Sequence, residues 1–160
     1  MISRLTLSAR RALANGFEVA NQLDHASVEP EHILIGTIIR RSRSVTARVL
    51  QSMDVDREAL CSEILSTIDD KGVLPLERLS EPGWNADGPH DLSRLSALSE
   101  QLLKSACNEA DDLGGRAVGD EHLFLASLAC CSLRSADLLH LKHIEAGKAR
   151  NIIKSLSQGM

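Results

Sequence analysis

The sequence contains one stretch twice, and this internal repeat constrains the fold more than any other feature. Residues 5–36 match residues 95–126 at an offset of 90, and after one deletion the match continues at an offset of 89. The identical pairs are Leu5/Leu95, Leu13/Leu103, Ala20/Ala110, Leu23/Leu113, Val28/Val118, Glu31/Glu121 and His32/His122. Two similar units in one chain predict two copies of one motif, related by a pseudo-two-fold axis.

The distribution of charge indicates the same division. Residues 1–68 and residues 93–160 each hold eight basic and eight acidic side chains, so each unit is neutral. Residues 69–92 hold two basic and six acidic side chains, together with three prolines and three glycines, and carry the whole net charge of −4. We therefore expect one domain over 1–160, in which repeat one (1–68) and repeat two (93–160) are joined by a long acidic loop (69–92). Trp84 lies alone in this loop, either as a tether to the body or as a contact for a partner.

Each unit is predicted to be helical. Apolar residues recur at helical spacing over 5–23 and again over 95–113, which is typical of an amphipathic helix. Gly16 and Ala106 occupy nearly equivalent places in these helices, and their small size allows another helix to come close.

A second helix is predicted to begin near Glu29-Pro30-Glu31, because proline suits the first turn and a carboxylate suits the positive end of the helix dipole. In the other unit Asp120 is expected to cap the equivalent helix. Shorter helices are predicted near 44–53 and 56–68, and near 134–142 and 145–157. The predicted fold class is all-α: four helices, a loop and four helices.

Composition excludes several classes of protein. Aromatic residues make up 2% of the chain, which argues against nucleic-acid modules that stack bases on aromatic platforms. The negative net charge argues against a general polyanion binder. There is no membrane-span-length apolar run, no signal-peptide core and no GxxxxGK[ST] phosphate loop. We expect a cytoplasmic protein that is not an enzyme, has no metal or cofactor, and keeps its four cysteines as reduced thiols.

Several motifs together resemble a known family. These are Thr6, Ala9-Arg10, the run from Pro30 to Gly36, and Ala47-Arg48-Val49-Leu50. The pattern resembles the double Clp N-terminal repeat domain, which heads the Clp/Hsp100 unfoldases (ClpA, ClpB, ClpC) and also occurs in stand-alone plastid ClpT proteins. The resemblance implies an all-α pseudo-dimeric fold and a role in recognition rather than catalysis.

The function implied by this resemblance is non-catalytic binding of protein substrates or adaptor proteins for a Clp-type AAA+ unfoldase–protease system. A stand-alone structural accessory that docks on a Clp protease or chaperone assembly without binding substrate is the main alternative. A helical enzyme that uses the paired Glu and His residues is a third. The resemblance implies no nucleic-acid or membrane partner.

The resemblance also implies binding residues. In the ClpC branch, a Thr near the start of the first helix and the Glu of the second helix help to bind phosphoarginine, which here names Thr6 with Glu31 and Ser96 with Glu121. A carboxylate can pair with the modified guanidinium, while a hydroxyl and helix N-terminal amides hold the phosphate. The structural alternative is that Glu31 and Glu121 complete first turns and that the histidines beside them fill half-buried positions.

Three further features have a structural and a functional interpretation. Arg40, Arg41, Arg43 and Arg48 form the densest basic cluster, which either complements a helix C-terminus or docks on an acidic partner. His140 and His143 share a helix face if the helix continues there, an arrangement that would suit metal binding. No third ligand is evident, so a solvated helix end is the simpler interpretation. An apolar groove between the repeats, used by the family for unfolded segments, cannot be separated from core by sequence.

Overall fold

The computed structural model describes residues 2–39, 44–69, 91–130 and 133–158. Eight α-helices lie in these ranges, with a short 3-10 helix before each repeat's first helix (Ile2–Arg4 and Leu92–Arg94). They are α1 (Leu7–Gln22), α2 (Pro30–Ile38), α3 (Val45–Ser52), α4 (Arg57–Ile68), α5 (Ala97–Asp112), α6 (Asp120–Cys130), α7 (Leu133–Leu141) and α8 (Ala146–Gln158). The predicted all-α fold is confirmed, and each of the four short helices begins and ends within one residue of its predicted bounds.

The two repeats exchange equivalent backbone contacts. Leu5 forms an isolated parallel bridge with Val118, and Val28 forms one with Leu95. These two bridges are the same contact made twice, because Leu95 is the repeat partner of Leu5 and Val118 is that of Val28. Reciprocity of this kind is the mark of a two-fold interface, so the predicted pseudo-two-fold arrangement is confirmed.

The central helices α2 and α6 pack against each other and against the first helix of their own repeat, α1 and α5. One cluster of buried side chains joins α1 and α5 to residues of α2 and α6. A second cluster joins α3, α4, α7 and α8 to the remaining apolar residues of α2 and α6. Because α1, α3, α4, α5 and α6 surround α2, every residue from Pro30 to Ile38 is buried.

The predicted close approach at Gly16 is confirmed. A Cβ at Gly16 would lie 3.1 Å from the Cα of Ile33, and one at Gly36 would lie 2.8 Å from the backbone nitrogen of Gly16 and overlap the carbonyl oxygen of Ala12. The repeat partners of these glycines are Ala106 and Ala126, so α5 and α6 leave room for methyl groups where α1 and α2 do not.

Helix ends in the two repeats also correspond. The turn after α1 has Asp24 with φ 56°, and the turn after α5 has Gly114 with φ 82°, both in the left-handed region. The turn after α7 places His143 at φ 57°. Because α7 ends at Leu141, His143 lies outside the helix and does not share a helix face with His140. Both side chains are exposed, which agrees with a solvated helix end.

The predicted loop at 69–92 lies mostly outside the described residues, as does Trp84. The 3-10 helix that leads into repeat two already begins at Leu92. Cys61, Cys107 and Cys130 are free thiols, and burial raises the pKa of Cys61 to about 12. No helix within the described ranges is long and apolar enough to cross a membrane.

Candidate functional site

The two hydroxyl residues implied by the family resemblance cap the first helix of each repeat. The Thr6 hydroxyl oxygen accepts a hydrogen bond from the Ala9 amide at 3.1 Å, at the start of α1. The Ser96 hydroxyl oxygen accepts one from the Ser99 amide at 3.1 Å, at the start of α5. Both side chains are half-buried, so each stands beside the unpaired amides of a helix N-terminus.

Each cap lies against the other repeat. The Thr6 amide donates to the Val118 carbonyl at 2.9 Å, and the Ser96 amide donates to the Val28 carbonyl at 3.1 Å. Val118 and Val28 are each three residues before the Glu of a Glu-His pair. The structure therefore brings Thr6 to the segment that leads into Glu121, and Ser96 to the segment that leads into Glu31.

This arrangement differs from the combination expected within one repeat. Helices α1 and α2 run antiparallel, since Ile33 lies against Gly16 whereas Gly36 lies against Ala12. Ten residues of α1 separate Gly16 from Thr6, which is about 15 Å at 1.5 Å per residue. Glu31 precedes Ile33 in α2 and so lies beyond Gly16, on the side away from Thr6. It is therefore remote from Thr6. The structure therefore does not bring Thr6 to Glu31, nor by the same symmetry Ser96 to Glu121, because the repeats exchange their N-terminal segments; the binding role of the four residues stays a prediction.

The first Glu-His pair is closed by a second histidine. Glu31 is 4% exposed and His32 is 1% exposed. The Nδ1 atom of His32 accepts a hydrogen bond from the Glu29 amide at 2.8 Å, so its Nε2 atom carries the proton and donates to Nδ1 of His25, also at 2.8 Å. Burial first, and then the nearby His25 and Arg94, lower the pKa of His32 to about 4. The ring is neutral and structural at physiological pH.

The second Glu-His pair is more open. The Nδ1 atom of His122 accepts from the Gly119 amide at 2.9 Å, which repeats the role of His32. The Glu121 side chain is 17% exposed and its carboxyl carbon would lie 2.7 Å from a Cβ at Gly119. Burial raises the pKa of Glu121 to about 7; a hydrogen bond from its own backbone amide opposes this shift, and the charge of Asp120 makes the smallest contribution, in the raising direction. Glycine at 119 leaves the room that this carboxylate occupies.

Sequence reasoning missed the long-range hydrogen bonds of Asp120. It was expected to cap α6, but it is the first residue of that helix and is 2% exposed. One carboxylate oxygen accepts from the Ser8 hydroxyl at 2.7 Å, and the other accepts from the hydroxyl and amide of Thr46 at 2.6 and 3.1 Å. Asp120 thus ties α1, α3 and α6 together directly beside Glu121. The repeat partner of Asp120 is Pro30, so repeat one has no equivalent.

Two arginines fasten the exchanged segments. Arg4 donates to the Arg116 carbonyl at 3.0 Å and to Asp111 at 2.6 Å. Its repeat partner Arg94 donates to the Ala26 carbonyl at 3.2 Å. Arg94 also donates to the His25 carbonyl and to the Asn21 side chain, which precede Ala26 in the chain. The sequence offered one signal for this pair: arginine recurs at positions 4 and 94, which are separated by the 90-residue offset of the repeat.

The remaining candidates are placed as follows. Arg48 is exposed on α3, whereas Arg40, Arg41 and Arg43 lie outside the described residues, so docking by this cluster stays a prediction. No group of three or more metal-ligating side chains occurs within the described ranges. The exposed large apolar side chains among described residues are Leu7, Leu92, Leu98 and Leu141.

The Thr6 side of the molecule combines the groups needed to hold a phosphorylated guanidinium. A hydroxyl at a helix N-terminus can donate to phosphate oxygens, and a carboxylate on the adjoining segment can accept from guanidinium N–H groups. The Thr6 hydroxyl has no acceptor for its own proton among the described residues, whereas the Ser96 hydroxyl donates to Ser99 at 3.2 Å. Of the two capping hydroxyls, that of Thr6 therefore keeps its proton available among the described residues.

Comparison with known proteins identifies related chains. The family model of the Clp repeat (R) N-terminal domain matches residues 4–141. Curated relatives include the ATP-dependent Clp protease ATP-binding subunit ClpC of Staphylococcus aureus strain USA300 and that of Staphylococcus saprophyticus, which are 28% and 27% identical to the chain over 125 residues. The match takes in 78% of this chain but only 13% of either relative.

Solved structures share the fold. The N-terminal domain of the chaperone ClpD from Arabidopsis thaliana superposes with a TM-score of 0.67 at 14% identity, covering 98% of this chain and 96% of that one. The Hsp104 N-terminal domain from Candida albicans gives 0.66 at 15% identity, covering 98% and 93%. A chain from a structural study of a malarial protein secretion system gives 0.70 at 15% identity, covering 95% and 93%.

Proposed function

The chain belongs to the family of Clp repeat N-terminal domains, and from that premise we propose that it is a non-catalytic protein-binding module. The module recognises protein substrates or adaptor proteins for a Clp/Hsp100 AAA+ unfoldase–protease system. Its rigid helical body docks a peptide reversibly and carries out no bond-making step. A cytoplasmic location, without nucleic-acid or membrane partners, belongs to the same proposal.

The ligand chemistry of this proposal is phosphoarginine on protein substrates. The observation that supports it is the cross-repeat contact that places Thr6 beside the segment carrying Glu121. The Thr6 hydroxyl and the first amides of α1 donate hydrogen bonds to the phosphate oxygens, and the Glu121 carboxylate accepts hydrogen bonds from the guanidinium N–H groups. Ser96 and Glu31 form the equivalent second site, weaker because the Ser96 proton is already donated and Glu31 is buried. Two sites on one body give avidity for substrates with two marks.

The decisive experiment is calorimetric titration of the chain with a short peptide that contains one phosphoarginine. Glu121→Gln keeps the size of the side chain and removes its charge, so we expect the affinity to fall about tenfold. Glu58→Gln is the matched control, because Glu58 is exposed in the first turn of α4, away from both sites. An unphosphorylated arginine peptide should not bind measurably.

Two results would overturn parts of the proposal. Equal affinity of the wild type and Glu121→Gln for the phosphoarginine peptide would remove Glu121 from the site. Absence of peptide binding, together with co-elution of the chain with purified Clp protease subunits on gel filtration, would assign the role of a structural accessory instead.

A further inference from the structure

The outer faces of the first helices differ in charge between the repeats. On α1, Leu7, Arg10 and Arg11 lie at positions i, i+3 and i+4, so they share one face, and all three are exposed. Leu7 is 52% exposed, one of few large apolar side chains on the described surface. We call Leu7, Arg10 and Arg11 the α1 face.

The equivalent positions of repeat two differ in charge, although Leu98 beside them is also exposed. Ala97, Glu100 and Gln101 replace Leu7, Arg10 and Arg11, and all three are exposed. Lys104, where repeat one has the buried Ala14, balances Glu100. Two positive charges beside an apolar side chain on α1 therefore correspond to one charge of each sign on α5. A nearly symmetric scaffold has acquired a basic face on one side only.

The positive charges of the α1 face have no ion-pair or hydrogen-bond partner within the described part of the chain. Neither Arg10 nor Arg11 forms an ion pair or side-chain hydrogen bond there, in contrast to Arg4, which is held by Asp111. Glu18, the only acidic residue of α1, lies two turns further along and accepts a hydrogen bond from Gln22.

We propose that the α1 face is a docking surface for an acidic peptide segment of a partner protein, with an aliphatic side chain of that segment seated on Leu7. Charge complementarity selects the partner, since the guanidinium groups of Arg10 and Arg11 donate hydrogen bonds to carboxylates that flank the apolar contact. The surface adjoins the phosphoarginine site, since Leu7 follows Thr6, but its contacts are made by the side chains of Leu7, Arg10 and Arg11 rather than by Thr6 or Glu121. It also makes the module directional, because the α5 face offers no such complement.

The test uses a fluorescein-labelled peptide in which pairs of glutamates alternate with leucines, measured by anisotropy at low and physiological salt. We expect Arg10→Glu with Arg11→Gln to weaken binding about tenfold, and the affinity of the wild type to fall as salt rises. Leu7→Ser should also weaken binding of the peptide, but it should leave any binding of single-stranded DNA unchanged. All three substituted side chains are exposed, and Arg, Glu and Gln have similar helix propensities, so the fold should be kept.

A gain-of-function variant makes the test independent of any loss of folding. Ala97→Leu, Glu100→Arg and Gln101→Arg transplant the α1 face onto α5, and we expect a second binding site of similar affinity. Glu121→Gln should leave the affinity for the acidic peptide unchanged, so this proposal and the phosphoarginine proposal can fail separately. Equal binding of the peptide to wild type and the Arg10/Arg11 variant would overturn the proposal, as would single-stranded DNA binding as tightly as the peptide.

Discussion

The two Glu-His pairs have the same sequence and different surroundings. In repeat one, Glu31 is buried and His32 is closed off by His25. In repeat two, Glu121 remains partly exposed over Gly119, and the residue before it, Asp120, ties three helices together. The comparison shows that a duplicated motif can keep one structural task, the histidine that accepts from the backbone three residues earlier, while only one copy keeps an open carboxylate.

The largest expected difference between the repeats concerns helix contact. Gly36→Ala should lower the free energy of unfolding by about 3 kcal/mol, because its methyl group would overlap the Ala12 carbonyl. Ala126→Gly, the reverse change at the equivalent position, should cost about 1 kcal/mol through helix propensity. Urea denaturation of both variants measures the two values. Similar losses in both would mean that α1–α2 and α5–α6 pack alike.

The next effect concerns acid stability. Because the folded pKa of His32 is about 4, below its ordinary 6.5, His32 stabilises the fold above pH 6.5, and this contribution is lost as the pH falls through 4. The loss should be on the order of 3 kcal/mol. His32→Gln can keep the bond from the Glu29 amide and should flatten the pH dependence over this window. Denaturation at several pH values tests this, and an unchanged profile in His32→Gln would assign acid unfolding to other groups.

Glu121 should act in the opposite direction. Its pKa is raised from 4.5 to about 7, so the carboxyl group favours the folded state below pH 4.5, and this advantage is lost as the pH rises through 7. Glu121→Gln should therefore stabilise the protein at pH 8 by on the order of 2 kcal/mol. The matched control is the exposed Glu58→Gln, which should change little. A destabilised Glu121→Gln at pH 8 would show that the ionised carboxylate is well paired in the fold.

The same pKa predicts a pH dependence of ligand binding. In the proposed phosphoarginine site the guanidinium pairs with the ionised form of Glu121, so affinity for the phosphoarginine peptide should rise by about threefold between pH 6.5 and 8. Calorimetry in buffers with different ionisation enthalpies should also detect proton release on binding at pH 6.5. Affinity that is constant over this range would place the ligand away from Glu121.

The smallest effect concerns the turns after α1 and α5. Asp24 and Gly114 are repeat partners with left-handed backbones, and only glycine adopts this conformation without steric cost. Asp24→Gly should raise the unfolding free energy and Gly114→Asp should lower it, each by about 0.5 kcal/mol. Changes of the same sign would show that the two turns are constrained by different neighbours.

The sequence predicted the helices well because their signals are local. Apolar spacing, Pro30 at a first turn and the recurrence of the pattern each act within a few turns of chain, and the short helices match to within one residue. The site was predicted less well because its contacts are long-range. Asp120 binds Ser8 and Thr46, which are 112 and 74 positions away. Likewise, the exchange that brings Thr6 beside Val118 follows from the two-fold axis rather than from any pattern within a repeat.

The reciprocal bridges have a consequence for biosynthesis. Val28 leaves the ribosome well before Arg94, whose carbonyl accepts from its amide, and before Ser96 and Ser99, whose amide and hydroxyl donate to its carbonyl. The nascent first repeat therefore carries an unfilled strand-like edge that matches its own N-terminal segment on another chain. Two ribosomes on one message hold such chains close together, and swapped pairs of half-made chains are the misassembly that this topology invites.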